Sequence, residues 1–281
     1  MKRTLIFLII IIALGGFVWQ GVYSPKSCCF AEAKLFLIEK GENLFLVAEN
    51  LEKEDLIKSK CFFEFYVFLK GAQGKLQAGE YSLSSTESSA EIAQKIISGD
   101  IAKEEITIIE GWTLKDVGFY FENKGMFQAE ELYDEMSELE GYLFPDTYWV
   151  RRGASLKEIV EKMQANFQEK TKDLEITPEI VIMASLLEKE VKTKEEKELA
   201  ADVLWKRLKI GMPLQVDAAM ETYERLGLPE HPICNPGLES ILAAIYPKSS
   251  EFWYYLSTPE GETLFSETLE EHNIKKAKYL K

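Results

Sequence analysis

Thr177-Pro178-Glu179-Ile180-Val181-Ile182-Met183-Ala184-Ser185-Leu186-Leu187-Glu188-Lys189-Glu190 is the stretch on which the fold turns. Thr177 can cap a helix, Pro178 suits its first position and Glu179 adds an acid to its first turn. Ile180, Val181, Met183, Ala184, Leu187 and Val191 then recur at helical spacing, which makes one face apolar. On a wheel of about 100° per residue, Glu188 and Glu190 each fall roughly 80° from the centre of that face, on opposite sides. Glu188 has the small Ala184 one turn before it, which leaves room beside its carboxyl. Partial burial there disfavours the charged form and lets the group hold a proton. The plainer reading is a boundary residue paired with Lys192.

Downstream, Ala200–Leu208 reads as a second helix that stops at Gly211, and Met212-Pro213-Leu214-Gln215-Val216-Asp217 as an extended polar loop. Leu228–Gly237 is a loop by its Pro and Gly content, and Leu238–Ile245 a helix that ends near Pro247. Phe252–Ser257 and Thr263–Phe265 read as two strands about a Gly261 turn, ahead of a last basic helix. His272 in that helix reads as structural.

Upstream lies a repeat. Leu35–Gly41 and Ile106–Gly111 each read as a strand ending at a Gly turn. Each runs into a helix start, Gly41-x-Asn43-Leu44-x-x-Val47-Ala48 and Gly111-x-Thr113-Leu114-x-x-Val117-Gly118. A second pair of segments, from Tyr81 and from Tyr148, follows at nearly the same offset. The predicted unit is strand, helix, helix, strand, helix, present twice. The first half of each copy resembles a LysM-like carbohydrate-binding fold; a spacer without binding function fits the same pattern. Glu140-Gly141-Tyr142-Leu143-Phe144-Pro145-Asp146-Thr147-Tyr148-Trp149 mixes rings with polar groups in a way that suits sugar faces and edges. It reads equally as a core turn bent at Pro145-Asp146.

At the N-terminus, Lys2 and Arg3 precede an uncharged stretch from Thr4 to Pro25. That is long enough for a bilayer span, with Trp19 and Tyr23 placed as interfacial aromatics and the basic residues on the inner side. A cleaved signal peptide is the rival reading. Either way, the remaining chain is expected outside the membrane.

The net charge of −14 argues against nucleic acid as partner. The 46% of apolar residues suffices for a substantial core. Cys28, Cys29, Cys61 and Cys234 show no zinc spacing, and with only two His no metal or cofactor is expected. Cys61, within an apolar run, reads as a core residue.

Together these motifs resemble the YceG-like endolytic murein transglycosylases (the MltG type). The resemblance covers nearly the whole chain. It rests on the N-terminal apolar stretch, the LysM-like region, Glu140–Tyr148, Ala184–Glu190, Arg207–Asp217, Asn235-Pro236-Gly237 and Glu271-His272-Asn273. It implies an α+β chain with a transmembrane helix, LysM-like α+β modules and a C-terminal mixed α/β catalytic domain. The expected division is 1–25 cytoplasmic tip and anchor, 26–34 linker, 35–103 LysM-like module, 104–170 repeat-related module and 171–281 catalytic domain.

It further implies a single-pass cell-membrane protein, N-terminus cytoplasmic, that cuts peptidoglycan glycan strands beside peptidoglycan synthases. Glu188 would be the catalytic acid and base. Gln215, Asp217, Asn235, Tyr142, Phe144, Asp146 and Tyr148 would bind substrate. The alternative is a membrane-anchored peptidoglycan-binding scaffold without activity. The chain departs from the family in a shortened insert that leaves Glu221-Thr222-Tyr223, in Glu230-His231 for Pro-Gly, and in Thr263 near the strand Phe265. These changes bear on groove shape and substrate preference.

Overall fold

The computed structural model describes residues 2–280, with the side chains of all but 2, 3 and 133–135. The side chains of Lys2 and Arg3, expected to orient the N-terminus, thus lie outside the described set. The fold is mixed α+β and divides into two compact units, Met1–Glu104 with Trp149–Gly153, and Glu105–Tyr148 with Ala154–Lys281.

The first unit opens with α1 (Lys2–Tyr23), whose segment Thr4–Tyr23 is long and apolar enough to cross a membrane. Its 20 residues extend about 30 Å, the thickness of a hydrocarbon core. There follow β1 (Lys34–Ile38), α2 (Leu44–Lys53), α3 (Lys60–Leu69), β2 (Gly79–Leu83) and α4 (Ser89–Ser98). β1 and β2 pair antiparallel, with Phe36 opposite Tyr81. Alternation along each strand sends Phe36, Ile38, Tyr81 and Leu83 inward, where all are buried. α4 is held by a Ser88–Glu91 capping box and ends at Gly99 in the left-handed region. The core also includes the end of α1, since Val22 is buried and Val18 and Phe62 pack against it. Gly21 makes that approach possible, because a Cβ there would lie 2.4 Å from the Phe62 ring. Cys61 departs from expectation. α3 buries Phe63, Tyr66 and Val67, one helical face, and Cys61 falls off it into solvent.

The element order then repeats: β3 (Lys103–Thr107), α5 (Leu114–Asn123), α6 (Ala129–Met136), β4 (Thr147–Arg151) and α7 (Leu156–Thr171). β3 pairs with β4. α8 (Pro178–Glu190) starts at the Thr177 cap, with Pro178 in its first turn, and buries every residue from Val181 to Leu187. α9 (Lys194–Lys209) begins six residues before the predicted Ala200, at a Thr193–Glu196 capping box. α10 (Glu221–Glu224), α11 (Leu238–Ile245), the antiparallel β5 (Tyr254–Ser257) and β6 (Thr263–Ser266), and α12 (Leu269–Tyr279) complete the second unit. α8, α9 and α11 share one core with Leu214 and Val216. Arg207, buried on α9, donates to Leu214 O at 2.7 Å and Trp253 O at 2.9 Å. That ties the 212–217 loop to the helix.

Candidate active site

Glu188 lies in the last turn of α8, and its side chain retains 8% of its exposure. Val191 then turns extended and ends the helix, so Lys192 leaves the helical face and is exposed. The cation on Glu188 comes instead from α9. Lys197 Nζ, itself buried, lies 2.9 Å from Glu188 Oε1. Glu188 Oε2 accepts from the Gly237 N–H at 2.8 Å and the Ser240 hydroxyl at 2.8 Å, at the start of α11. Three donors from two helices therefore converge on one buried carboxyl group. The expected burial is present, and it comes with a cation and two hydrogen-bond donors.

A second carboxyl, which the sequence reading passed over, stands beside it. Glu110 belongs to the turn between β3 and α5. A Cβ placed on Gly237 would lie 2.0 Å from Glu110 Oε1, and one placed on Gly111 would lie 3.5 Å from Glu188 Cγ. Desolvation and the nearby charge of Glu188 push the Glu110 carboxyl above the ordinary range, against the opposing pull of Lys197. Glu110 remains solvent-exposed, unlike Lys197 and Ser240.

The turn is clamped by Asn235, which is fully buried. Its main chain accepts from the Gly111 N–H and donates to Trp112 O, both at 2.9 Å. Its Oδ1 accepts from the Gly141 and Leu143 N–H groups at 3.0 and 2.9 Å, and its Nδ2 donates to Trp112 O at 3.0 Å and Glu140 Oε1 at 3.3 Å. Asn235, expected to bond a sugar, has its amide engaged inside the protein.

The same holds for part of the Glu140–Tyr148 segment. Phe144 and Tyr148 are buried, Phe144 near the Phe167 ring and Tyr148 donating to Phe144 O and accepting from Asn166 Nδ2. They form a core turn and offer no ring to a ligand. Tyr142 is half-buried against Phe167, and Asp146 is half-exposed, accepting from Asn166 Nδ2 at 3.0 Å and the Thr147 N–H at 2.8 Å.

Gln215 and Asp217 are exposed on the 212–217 loop. Gln215 has φ +55°, a left-handed conformation uncommon for this residue type. The shortened segment folds back onto this loop. Thr222 Oγ1 donates to Ala219 O at 2.7 Å and accepts from the Val216 N–H at 2.9 Å, while Tyr223 Oη donates to Asp217. Glu190, on the opposite side of α8 from Glu188, accepts from the Ala218 N–H at 3.1 Å. Burial and then the charge of Asp217 raise its carboxyl. Cys234 is buried, its thiol pushed up to about 12 by desolvation. It is therefore no nucleophile.

The sequence profile of the YceG-like family matches residues 36–221 and 219–278, and the chain belongs to that family. It is 30% identical over 302 residues to the endolytic murein transglycosylase of Bacillus subtilis, covering 86% of this chain and 84% of that protein. It is 25% identical over 355 residues to the protein of the same name from Streptococcus pneumoniae, covering 98% of this chain and 64% of that one. The crystal structure of a yceG-like protein from Listeria monocytogenes superposes with a TM-score of 0.55 at 25% identity, over 88% of this chain and all of that chain.

Proposed function

We infer that this chain is an endolytic lytic transglycosylase of peptidoglycan, with Glu188 as its catalytic carboxylate. The observation that carries this reading is the buried Glu188, met by Lys197, Gly237 and Ser240 at the end of the helix whose motif the family shares. The reaction breaks the bond between the muramic C1 and the oxygen of the next sugar, and the muramic C6 hydroxyl closes onto C1 to leave a 1,6-anhydro end. No water is consumed: Glu188 would give its proton to the departing oxygen and, once ionised, take one from the C6 hydroxyl as that oxygen bonds to C1.

Gln215 and Asp217, exposed on a loop that α9 anchors, would orient the strand, with Tyr142 and Asp146 at the half-exposed edge of the neighbouring turn. α1 would span the cell membrane once with its N-terminus inside, leaving the rest of the chain beside the peptidoglycan synthases. Residues 35–103 would act as a LysM-like module and 104–170 as a second, repeat-related module before a catalytic domain at 171–281. Their strand–helix–helix–strand order, present twice, supports that assignment.

The test is digestion of purified glycan strands by the wild type and by Glu188→Gln, followed by mass spectrometry. The wild type should release anhydro-ended fragments, one water lighter than hydrolysis products, and the variant should lose at least a hundredfold in rate. Continued release by the variant would remove Glu188 from the mechanism. Binding without cutting by the wild type would leave the scaffold reading.

A further inference from the structure

α3 is apolar on nearly every side. Of its ten residues, only Lys60 and Glu64 carry charge. A helix of that kind is covered all round, by a protein core or by a membrane. Protein covers one side of α3 only. Phe63, Tyr66 and Val67 are buried, while Phe65, Phe68 and Leu69 stay 44%, 49% and 69% exposed. Phe45 of α2, 58% exposed, continues this face, its ring centroid 6.5 Å from that of Phe68. An uncovered ring-rich face of this extent marks an interaction site.

The neighbourhood of the face fixes its partner. Phe62 of α3 lies on α1, its ring centroid 5.6 Å from that of Phe17 and its edge where a Cβ on Gly21 would fall. Gly21 and Phe17 precede Tyr23, the end of the apolar segment, by about 3 and 9 Å along the axis, at about 1.5 Å per residue. Phe65, Tyr66 and Leu69 form one wall of an open groove of about 580 Å³, and α1 from Ile10 to Tyr23 forms the other. Whatever surrounds α1 at the level of Phe17 therefore also reaches Phe65 and Leu69. For a spanning α1 that is lipid.

We propose that α3, with Phe45 beside it, docks on the bilayer leaflet from which α1 emerges, its exposed rings set among the acyl chains; this rests on the reading of α1 as a membrane span. Helices that lie in an interface bury their apolar face about 5–10 Å deep, which is the level at which Phe62 stands beside α1. Lys58 and Lys60 at one end of α3 and Lys70 at the other mark its polar margin. Long lysine stems let their ammonium groups stay among the headgroups while the rings go deeper. Trp19 and Tyr23 of α1, whose ring centroids are 4.4 Å apart, belong to the same belt. The first unit is then held to the membrane at two places and does not swing on a lone helix.

Cys61 supplies the probe. It is exposed and shares a helix face with Phe65 and Phe68. The full chain carrying Cys28→Ser and Cys29→Ser takes a bimane fluorophore at Cys61, since Cys234 is buried. It is reconstituted into vesicles of phosphatidylcholine and phosphatidylglycerol, with or without nitroxide-labelled phosphatidylcholine. Two references carry Cys61→Ser as well, with the fluorophore placed through Leu14→Cys within α1 or Glu260→Cys on the exposed β5–β6 turn. Nitroxide lipid should quench the fluorophore at Cys61, and aqueous iodide should quench it at least about fivefold less than at position 260. Adding Phe65→Gln and Phe68→Gln should raise iodide quenching at Cys61 at least about threefold, with melting little changed because both rings are already half-exposed. Iodide quenching at Cys61 equal to that at position 260 would overturn the proposal. So would protection from both quenchers, which would put a second copy of the chain on the face. If position 14 is reached by lipid and Cys61 only by iodide, the docking alone fails and the span stands. If position 14 too is reached only by iodide, the span fails and the docking with it. Should the double Phe variant melt early, quenching at Cys61 with both rings in place decides.

Discussion

The two strand–Gly–helix turns of the chain are copies in sequence that differ in company. Gly41 and Gly111 both take a positive φ, +96° and +78°, and each is followed by a capped helix. Around Gly41 there is open space, and the residue before it is the exposed Lys40. Around Gly111 there is the side chain of Glu188, and the residue before it is Glu110. The local backbone is thus indifferent to function. One copy packs against Glu188 and is held by Asn235, while the other is a surface turn. Catalytic groups belong to the assembly of elements and not to the motif that carries them.

That contrast can be broken most severely at the cation. Lys197→Met leaves the Glu188 carboxylate buried without its partner, and about 3–5 kcal/mol of unfolding free energy should be lost in chemical denaturation. A loss below about 1 kcal/mol would mean that Glu188 is wetter than its 8% exposure indicates.

Gly237→Ala comes next. The backbone there has φ −75°, which alanine adopts freely, so the new methyl acts only by pushing the flexible Glu110 aside. Activity on glycan strands should fall about tenfold to a hundredfold with melting nearly unchanged. Equal rates would show that the placing of Glu110 beside Gly237 does not matter to strand cutting.

A smaller effect concerns pH. Glu110 binds its proton more tightly folded than unfolded, so the folded chain loses stability as the pH rises from the ordinary glutamate range through the raised one. Glu110→Gln removes that loss. The variant should melt slightly above wild type at neutral pH and not at pH 4. The smallest effect is expected in the other copy, where Lys40→Ala should stay within about 0.5 kcal/mol and leave glycan cutting unchanged.

What could be read from the sequence was local. The Thr177 cap, the Pro178 start and the apolar face of α8 are decided within one helix, and the doubled strand–helix order follows from short patterns. The partner of Glu188 was not local. A wheel extended past Glu190 proposes Lys192, but the chain turns extended at Val191 and the next helix supplies Lys197. Glu110 reaches Glu188 across 78 positions of chain, a distance no periodicity records. The ring-rich segment shows a further limit. Phe144 and Tyr148 have the composition of a sugar-facing wall, yet Phe144 sits in a run of buried residues and Tyr148 on the inward face of β4.

The packing of Phe62 on Gly21 has its own consequence. The last turns of α1, an apolar helix, are also a rib of the first unit. An enzyme made soluble by cutting just behind Tyr23 would lose Val18 and Val22 and bare the ring of Phe62. Such a fragment should be stickier than one that keeps residues from 17 onward, and the choice of where to trim the chain would then govern whether the shortened protein stays dispersed.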